Sequence, residues 1–155
     1  MTLWGIGPSL VLVGTTMSGV VFILQARFGI ALPTGSWLRP LAVAVGICLA
    51  LFGTYFWIAS ACLVTRAFAS QRLVTSGVYR FSRNPLYAAF IVFLVPGLAL
   101  FLNNLLLLLA SLLMYAVFAA RIGKEEAYLA DRYGEEYAAY RAAVPRLIPL
   151  LHPRH

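Results

Sequence analysis

Residues 85–120 read PLYAAFIVFLVPGLALFLNNLLLLLASLLMYAVFAA, 36 positions without one charged side chain. About 17–25 apolar residues cross a bilayer. This stretch is too long for one crossing and suits two short ones. Asn103-Asn104 stands at its middle and supplies the polar turn. The stretch therefore predicts a tight hairpin of membrane helices over 85–102 and 105–120. Pro96-Gly97 predicts a kink in the first arm.

Two more apolar segments precede the hairpin, at about 3–26 and 41–64. The first has no Lys or Arg ahead of it and is long for a signal-peptide core, so it reads as a retained helix rather than a leader. The expected fold is an all-α integral membrane protein of about four transmembrane helices in one domain, 1–155. The composition agrees. Of 155 residues, 62% are hydrophobic and 11% charged, where a soluble domain carries about a quarter charged. Intrinsic disorder needs the opposite balance, and the length leaves no room for a separate soluble catalytic domain beside the membrane part. Gly14 and Ser18 have the small-xxx-small spacing of helix–helix contacts, which leaves the oligomeric state open.

The net charge is +7, and its distribution is uneven. The connection after the first segment carries Arg27 and Arg39. The next carries Arg66, Arg72, Arg80 and Arg83. The hairpin turn carries none, and the C-terminal part carries Arg121, Lys124, Arg132, Arg141, Arg146 and Arg154. With four crossings, ten bases face two, which places both termini in the cytoplasm. Anionic lipid headgroups explain this excess better than nucleic acid, because no basic face alternates with a soluble core. Cys48 and Cys62 are fourteen residues apart on one predicted helix, roughly 21 Å and beyond disulfide reach, so they are expected to be packing residues. His152 and His155 sit on the tail. No spacing suits a metal, and no internal histidine can act as a general base.

Chemistry-bearing residues cluster in two segments, about 71–87 and 121–149. In the first, Ser76-Gly77 makes a turn, and Pro85 opens the third helix where its missing N–H costs nothing. Asn84 then stands at the N-cap, its side-chain oxygen available to the orphan backbone donors. Free N–H groups at such a helix start can bind an acceptor on a ligand, and Tyr79 and Tyr87 flank the turn as walls for a flat ring. A basic, aromatic interfacial loop that merely caps a helix satisfies the same pattern. In the second segment, Arg121 and Glu125 are i and i+4 on one helix face. They form either a surface ion pair or, at the membrane boundary where charge is costly, a carboxylate for a cation and a guanidinium for a carboxylate. Residues 121 to about 142 read as a helix weakly interrupted by Gly123 and Gly134. Leu129, Tyr133, Tyr137 and Tyr140 line one aromatic face, which lies on the membrane or packs on the loop. This inventory has no nucleophile with an obvious base, no metal cluster and no phosphate-cradling glycine loop. It suits a reaction that needs binding and alignment alone. One-step methyl transfer from a sulfonium donor is such a reaction.

The order and spacing of L-V-T-S-G-V-Y (73–79), R-N-P-L-Y (83–87), R-x-x-x-E-E (121–126), Y-G-E-E-Y-x-x-Y (133–140) and V-P-R-L-I-P (144–149) resemble the integral-membrane methyltransferases typified by isoprenylcysteine carboxyl methyltransferase, with phospholipid N-methyltransferases as relatives. The resemblance covers the C-terminal half. The first two spans match in character only. It implies S-adenosylmethionine as the donor, with no metal, held between the second connection and the C-terminal helix. It implies that Leu73, Val74 and Tyr79 line the cofactor pocket, that Asn84, Pro85 and Tyr87 continue it, that Glu125 contacts the donor, and that Arg121 faces the acceptor's carboxylate. A lipophilic small molecule or lipid-modified acceptor would enter from the bilayer between helices. The isoprenylcysteine enzymes carry histidine where this chain has Asn84, which keeps hydrogen bonding but cannot titrate. Asn84 resembles bacterial-type members, which would put the chain in a bacterial-type cytoplasmic membrane. Two rival readings remain: a membrane sterol-type reductase using a nicotinamide dinucleotide, and a non-enzymatic membrane scaffold.

Overall fold

A computed structural model describes residues 35–70 and 72–147 continuously, with scattered positions between 16 and 32; the side chains of residues 67–70 are outside the description. Most of the expected 3–26 span, the Gly14/Ser18 pair and both tail histidines lie outside the described residues. What is described is helical. α1 runs Arg39–Ser70, α2 runs Pro85–Leu102 and α3 runs Leu105–Ala143. All three are long and apolar enough to cross a membrane. A 3₁₀ turn, Gly77–Arg80, lies between α1 and α2.

Chemistry local to Asn103-Asn104 makes the hairpin. Asn103 ends α2 in the left-handed conformation at φ 56°, which asparagine tolerates better than most residues. The Asn104 side chain accepts from the Leu106 N–H at 2.9 Å and caps α3. Arg39, at the start of α1, closes the same end of the bundle. Its two guanidinium nitrogens donate to the carbonyls of Leu100 and Phe101 at 2.8 and 2.7 Å. A cation thereby meets the negative end of the α2 dipole.

α1 packs along α2 through glycine. A Cβ on Gly46 would lie 2.7 Å from the Gly97 carbonyl oxygen, and one on Gly97 would lie 2.8 Å from the Gly46 carbonyl oxygen. The two backbones therefore touch. The outward face of α1 is apolar and exposed, as a lipid-facing helix should be, and both cysteines lie exposed rather than packed. Trp57 of α1 and Trp37, two residues before its start, are both exposed. α1 extends beyond the expected 41–64 span at both ends.

Pro96 does more than kink α2. Residues Ala89–Leu94 adopt a π-helical register in which the Val95 N–H bonds to the Phe90 carbonyl. In that register the partner of the Ile91 carbonyl would be residue 96, a proline with no N–H. The orphaned carbonyl is taken by the Ser111 hydroxyl of α3 at 2.5 Å. The sequence defect thus becomes a cross-link inside the hairpin, where an unpaired carbonyl would be costly.

The span expected at 105–120 runs without interruption into the expected C-terminal helix. The first helix of α3 ends at Gly134 (φ 51°, ψ −123°), where the chain kinks into a second helix that ends at Ala143. Residues beyond that break turn back onto the bundle, and Tyr137 and Tyr140 become buried.

Candidate active site

The loop from the 3₁₀ turn to the start of α2 meets α3 at Glu126. Gly77 (φ 61°) starts the turn, and its missing side chain leaves room for Leu63 of α1. Val78 is buried and Tyr79 half-buried, next to a core made by Phe56, Ala88, Phe118 and Ile122. Leu73 and Val74 lie half-buried in the irregular chain before the turn. Pro85 occupies the first turn of α2, as its chemistry predicts, and is fully buried.

Two of the expected site residues touch. The Tyr87 hydroxyl donates to the Glu125 carboxylate, 3.1 Å from Oε1, and its ring lies 5.4 Å from that of Phe118. Tyr79 joins them electrostatically. Burial, and behind it the charge of Glu125, push its hydroxyl well above the ordinary tyrosine value. Arg121 lies one turn before Glu125 and is exposed.

Asn84 does not behave as expected. It stands at the N-cap, but its side chain makes no capping bond. Instead its Nδ2 donates to the Arg146 carbonyl at 2.8 Å. Its backbone dihedrals (φ −130°, ψ 57°) carry the side chain away from the helix start and towards the C-terminal segment. The Ser82 hydroxyl accepts from the Asn84 N–H at 3.1 Å. The Ala88 N–H bonds to the Asn84 carbonyl and opens the helix.

The C-terminal part makes a set of contacts that sequence reasoning missed. Glu126 is 5% exposed. Its Oε1 lies 2.9 Å from Nη1 of Arg83, and both its oxygens accept from Arg146 at 3.0 and 2.6 Å. That hydrogen bonding raises the Arg146 guanidinium above its usual value. Arg83 also donates to the Tyr137 hydroxyl at 3.3 Å, and Tyr140 donates to the Tyr79 carbonyl at 2.7 Å. The Arg83 Nε–H is buried and has no acceptor. A signal for Glu126 exists in the sequence: adjacent acids on a helix diverge by about 100°, so Glu125 and Glu126 cannot serve the same partner.

A groove of about 410 Å³ opens on the other side of the 3₁₀ turn, between Phe52, Tyr55 and Phe56 of α1 and Val78, Arg80 and Phe81. Its walls are largely aromatic, and Arg80 is among the lining residues. Among the described residues no cluster of His, Cys, Asp or Glu could hold a metal ion.

The sequence model of one family, described as phospholipid methyltransferase, matches residues 41–136, which takes in α1, the loop, α2 and most of α3. The chain belongs to that family. Similar curated proteins are named protein-S-isoprenylcysteine O-methyltransferase. The one from Schizosaccharomyces pombe is 40% identical over 79 residues, 51% of this chain and 34% of its own length. That of Saccharomyces cerevisiae is 33% identical over 87 residues, 56% of this chain and 36% of its own. Form B from Arabidopsis thaliana is 32% identical over 81 residues, 52% of this chain and 41% of its own. The matches thus span roughly a third to two fifths of these relatives. All three are eukaryotic and lend no support to a bacterial-type membrane.

Proposed function

We propose that this protein transfers a methyl group from S-adenosylmethionine to a lipophilic acceptor, an isoprenylcysteine-type carboxylate or related lipid, at the cytoplasmic membrane interface. The observation that carries the reading is the Tyr87–Glu125 pair, set beside Tyr79 within the region matched by the methyltransferase family. When bound, S-adenosylmethionine supplies a methyl group already activated on a sulfonium. The residues fit such a donor. Glu125 offers a negative charge oriented by the Tyr87 hydroxyl, and Tyr79 and Tyr87 offer aromatic faces that attract a cation.

What the chain itself contributes is orientation and exclusion of water. A carboxylate acceptor is ionised at neutral pH, so no base is needed. Arg121, exposed one turn from Glu125, is available to orient that carboxylate in fork geometry. The imbalance of ten bases against two supports cytoplasmic termini.

Calorimetric titration of S-adenosylmethionine and S-adenosylhomocysteine into the detergent-purified protein tests the reading. Binding to wild type and its loss in Glu125→Ala are expected. Folded wild-type protein that binds neither, in detergent and again in native lipid extract, would overturn it.

A further inference from the structure

Glu126 is the carboxylate that the proposed chemistry does not use, yet it is the better buried of the adjacent pair. Its side chain is 6% exposed and serves two guanidiniums, Arg83 at 9% and Arg146 at 45% exposure. Taking such charges from water is expensive, and well-packed apolar residues often stabilise as well or better. The arrangement therefore points to a geometric role. The two arginines belong to different segments: Arg83 lies in the loop entering α2, and Arg146 lies beyond the end of α3. Between those segments run three more bonds, from the Arg83 N–H to the Pro145 carbonyl at 2.9 Å and from Asn84 Nδ2 and the Ser82 hydroxyl to the Arg146 carbonyl at 2.8 and 3.4 Å. Leu147, next in sequence, is buried at 5%. Residues 144–147 thus form a strap over 82–84, and one carboxylate on α3 holds both.

We propose that Glu126 is a positioning residue for the donor site: by clamping Arg83 and Arg146 together it fixes the loop that carries Tyr79, and with it the start of α2 that carries Tyr87, against Glu125. This rests on the methyl-transfer reading. The reach is short. Glu126 follows Glu125 directly, and Arg83 precedes Tyr87 by four residues, so a shift of the loop at Arg83 moves the Tyr87 hydroxyl off its carboxylate. Asn84 is the second fastener of the same strap, a role that needs an amide donor and no titrating ring.

The test compares Glu126→Gln, Arg146→Ala and Arg146→Lys with wild type in detergent. The Kd for S-adenosylhomocysteine is read by calorimetry, folding by thermal melting, and strap opening by hydrogen exchange over 82–84 and 144–147. Arg146 is half exposed, so its variants keep the test open if Glu126→Gln fails to fold. The expected result is a Kd weakened about 10- to 100-fold in folded Arg146→Ala, faster exchange in the strap, and recovery of both in Arg146→Lys, which keeps a cation on Glu126. An unchanged Kd with an opened strap would overturn the positioning role. A weakened Kd with the strap still protected would also overturn it. Absence of binding to wild type would overturn the methyl-transfer reading along with it, and is distinguished from the other outcomes by that feature.

Discussion

Gly123 lies inside the first helix of α3 and Gly134 at the kink that ends it, and an added Cβ would meet nothing within 4 Å at either. They differ in backbone alone. Gly123 lies within the regular part of α3, whereas Gly134 has φ 51° and ψ −123°. Gly123→Ala should stabilise by about 0.5–1 kcal/mol through lost freedom in the unfolded chain. Gly134→Ala forces a side chain into a conformation worth about 1–3 kcal/mol of strain, with no steric contact to confuse the reading. The two alanines should therefore separate by about 1.5–4 kcal/mol, in opposite directions from wild type. Denaturant titration of the detergent-solubilised protein, followed by far-UV circular dichroism and tyrosine fluorescence, measures this. If the mutant relieves strain by straightening the helix, Tyr137 and Tyr140 leave the loop, and hydrogen exchange over residues 78–83 rises. Two alanines that shift stability in the same direction would refute the reasoning, as would a Gly134→Ala protein as stable as wild type with an unchanged loop.

Ser111→Ala should cost about 1–3 kcal/mol, because it strands the buried Ile91 carbonyl that the proline leaves unpaired; a neutral effect in the same denaturant assay would argue against that accounting. Gly97→Ala should destabilise by about 1–3 kcal/mol through overpacking, since its Cβ would meet backbone atoms of α1 at 2.8 and 2.9 Å; a melting point equal to wild type would contradict the close approach. Tyr79 bears on alkaline stability. Its folded-state value lies above the unfolded value of about 10, so its stabilising contribution is complete below that pH and is lost as pH rises towards the folded value. Tyr79→Phe should flatten the loss of stability above pH ~10, and a variant whose alkaline profile overlays wild type would show that Tyr79 is not the group responsible.

The features legible in the sequence were those decided by a residue's own neighbours. Asn103-Asn104 was readable as a turn because one asparagine takes a left-handed conformation and the next caps a helix. Pro85 was readable because its missing N–H fits one position of a helix. The features that escaped were decided across the fold. Asn84 has the right type and place for a cap, but the carbonyl it binds lies 62 residues away. The pattern singled out Glu125 and Arg121 and gave Glu126 no role, because Arg146 reaches Glu126 only after the chain reverses at Gly134. That glycine reads in sequence as a weak interruption, and nothing local distinguishes it from Gly123. Pro96 announced a kink, but the π register ahead of it and the answering Ser111 hydroxyl follow from packing between two helices. An apolar run suggests packing roles for Cys48 and Cys62, but in a membrane helix an apolar run also faces outward, and both are exposed.

Arg39 sets a constraint in time. Its guanidinium bonds to carbonyls 61 and 62 positions later in the chain. At about 5–20 residues per second of synthesis, roughly 3–12 s pass between the appearance of this cation and the appearance of its acceptors. Over that interval Arg39 is without these two acceptors. Closure of the hairpin is then the event that pairs the guanidinium with them, so the fastening of this end of the fold waits on the synthesis of α2.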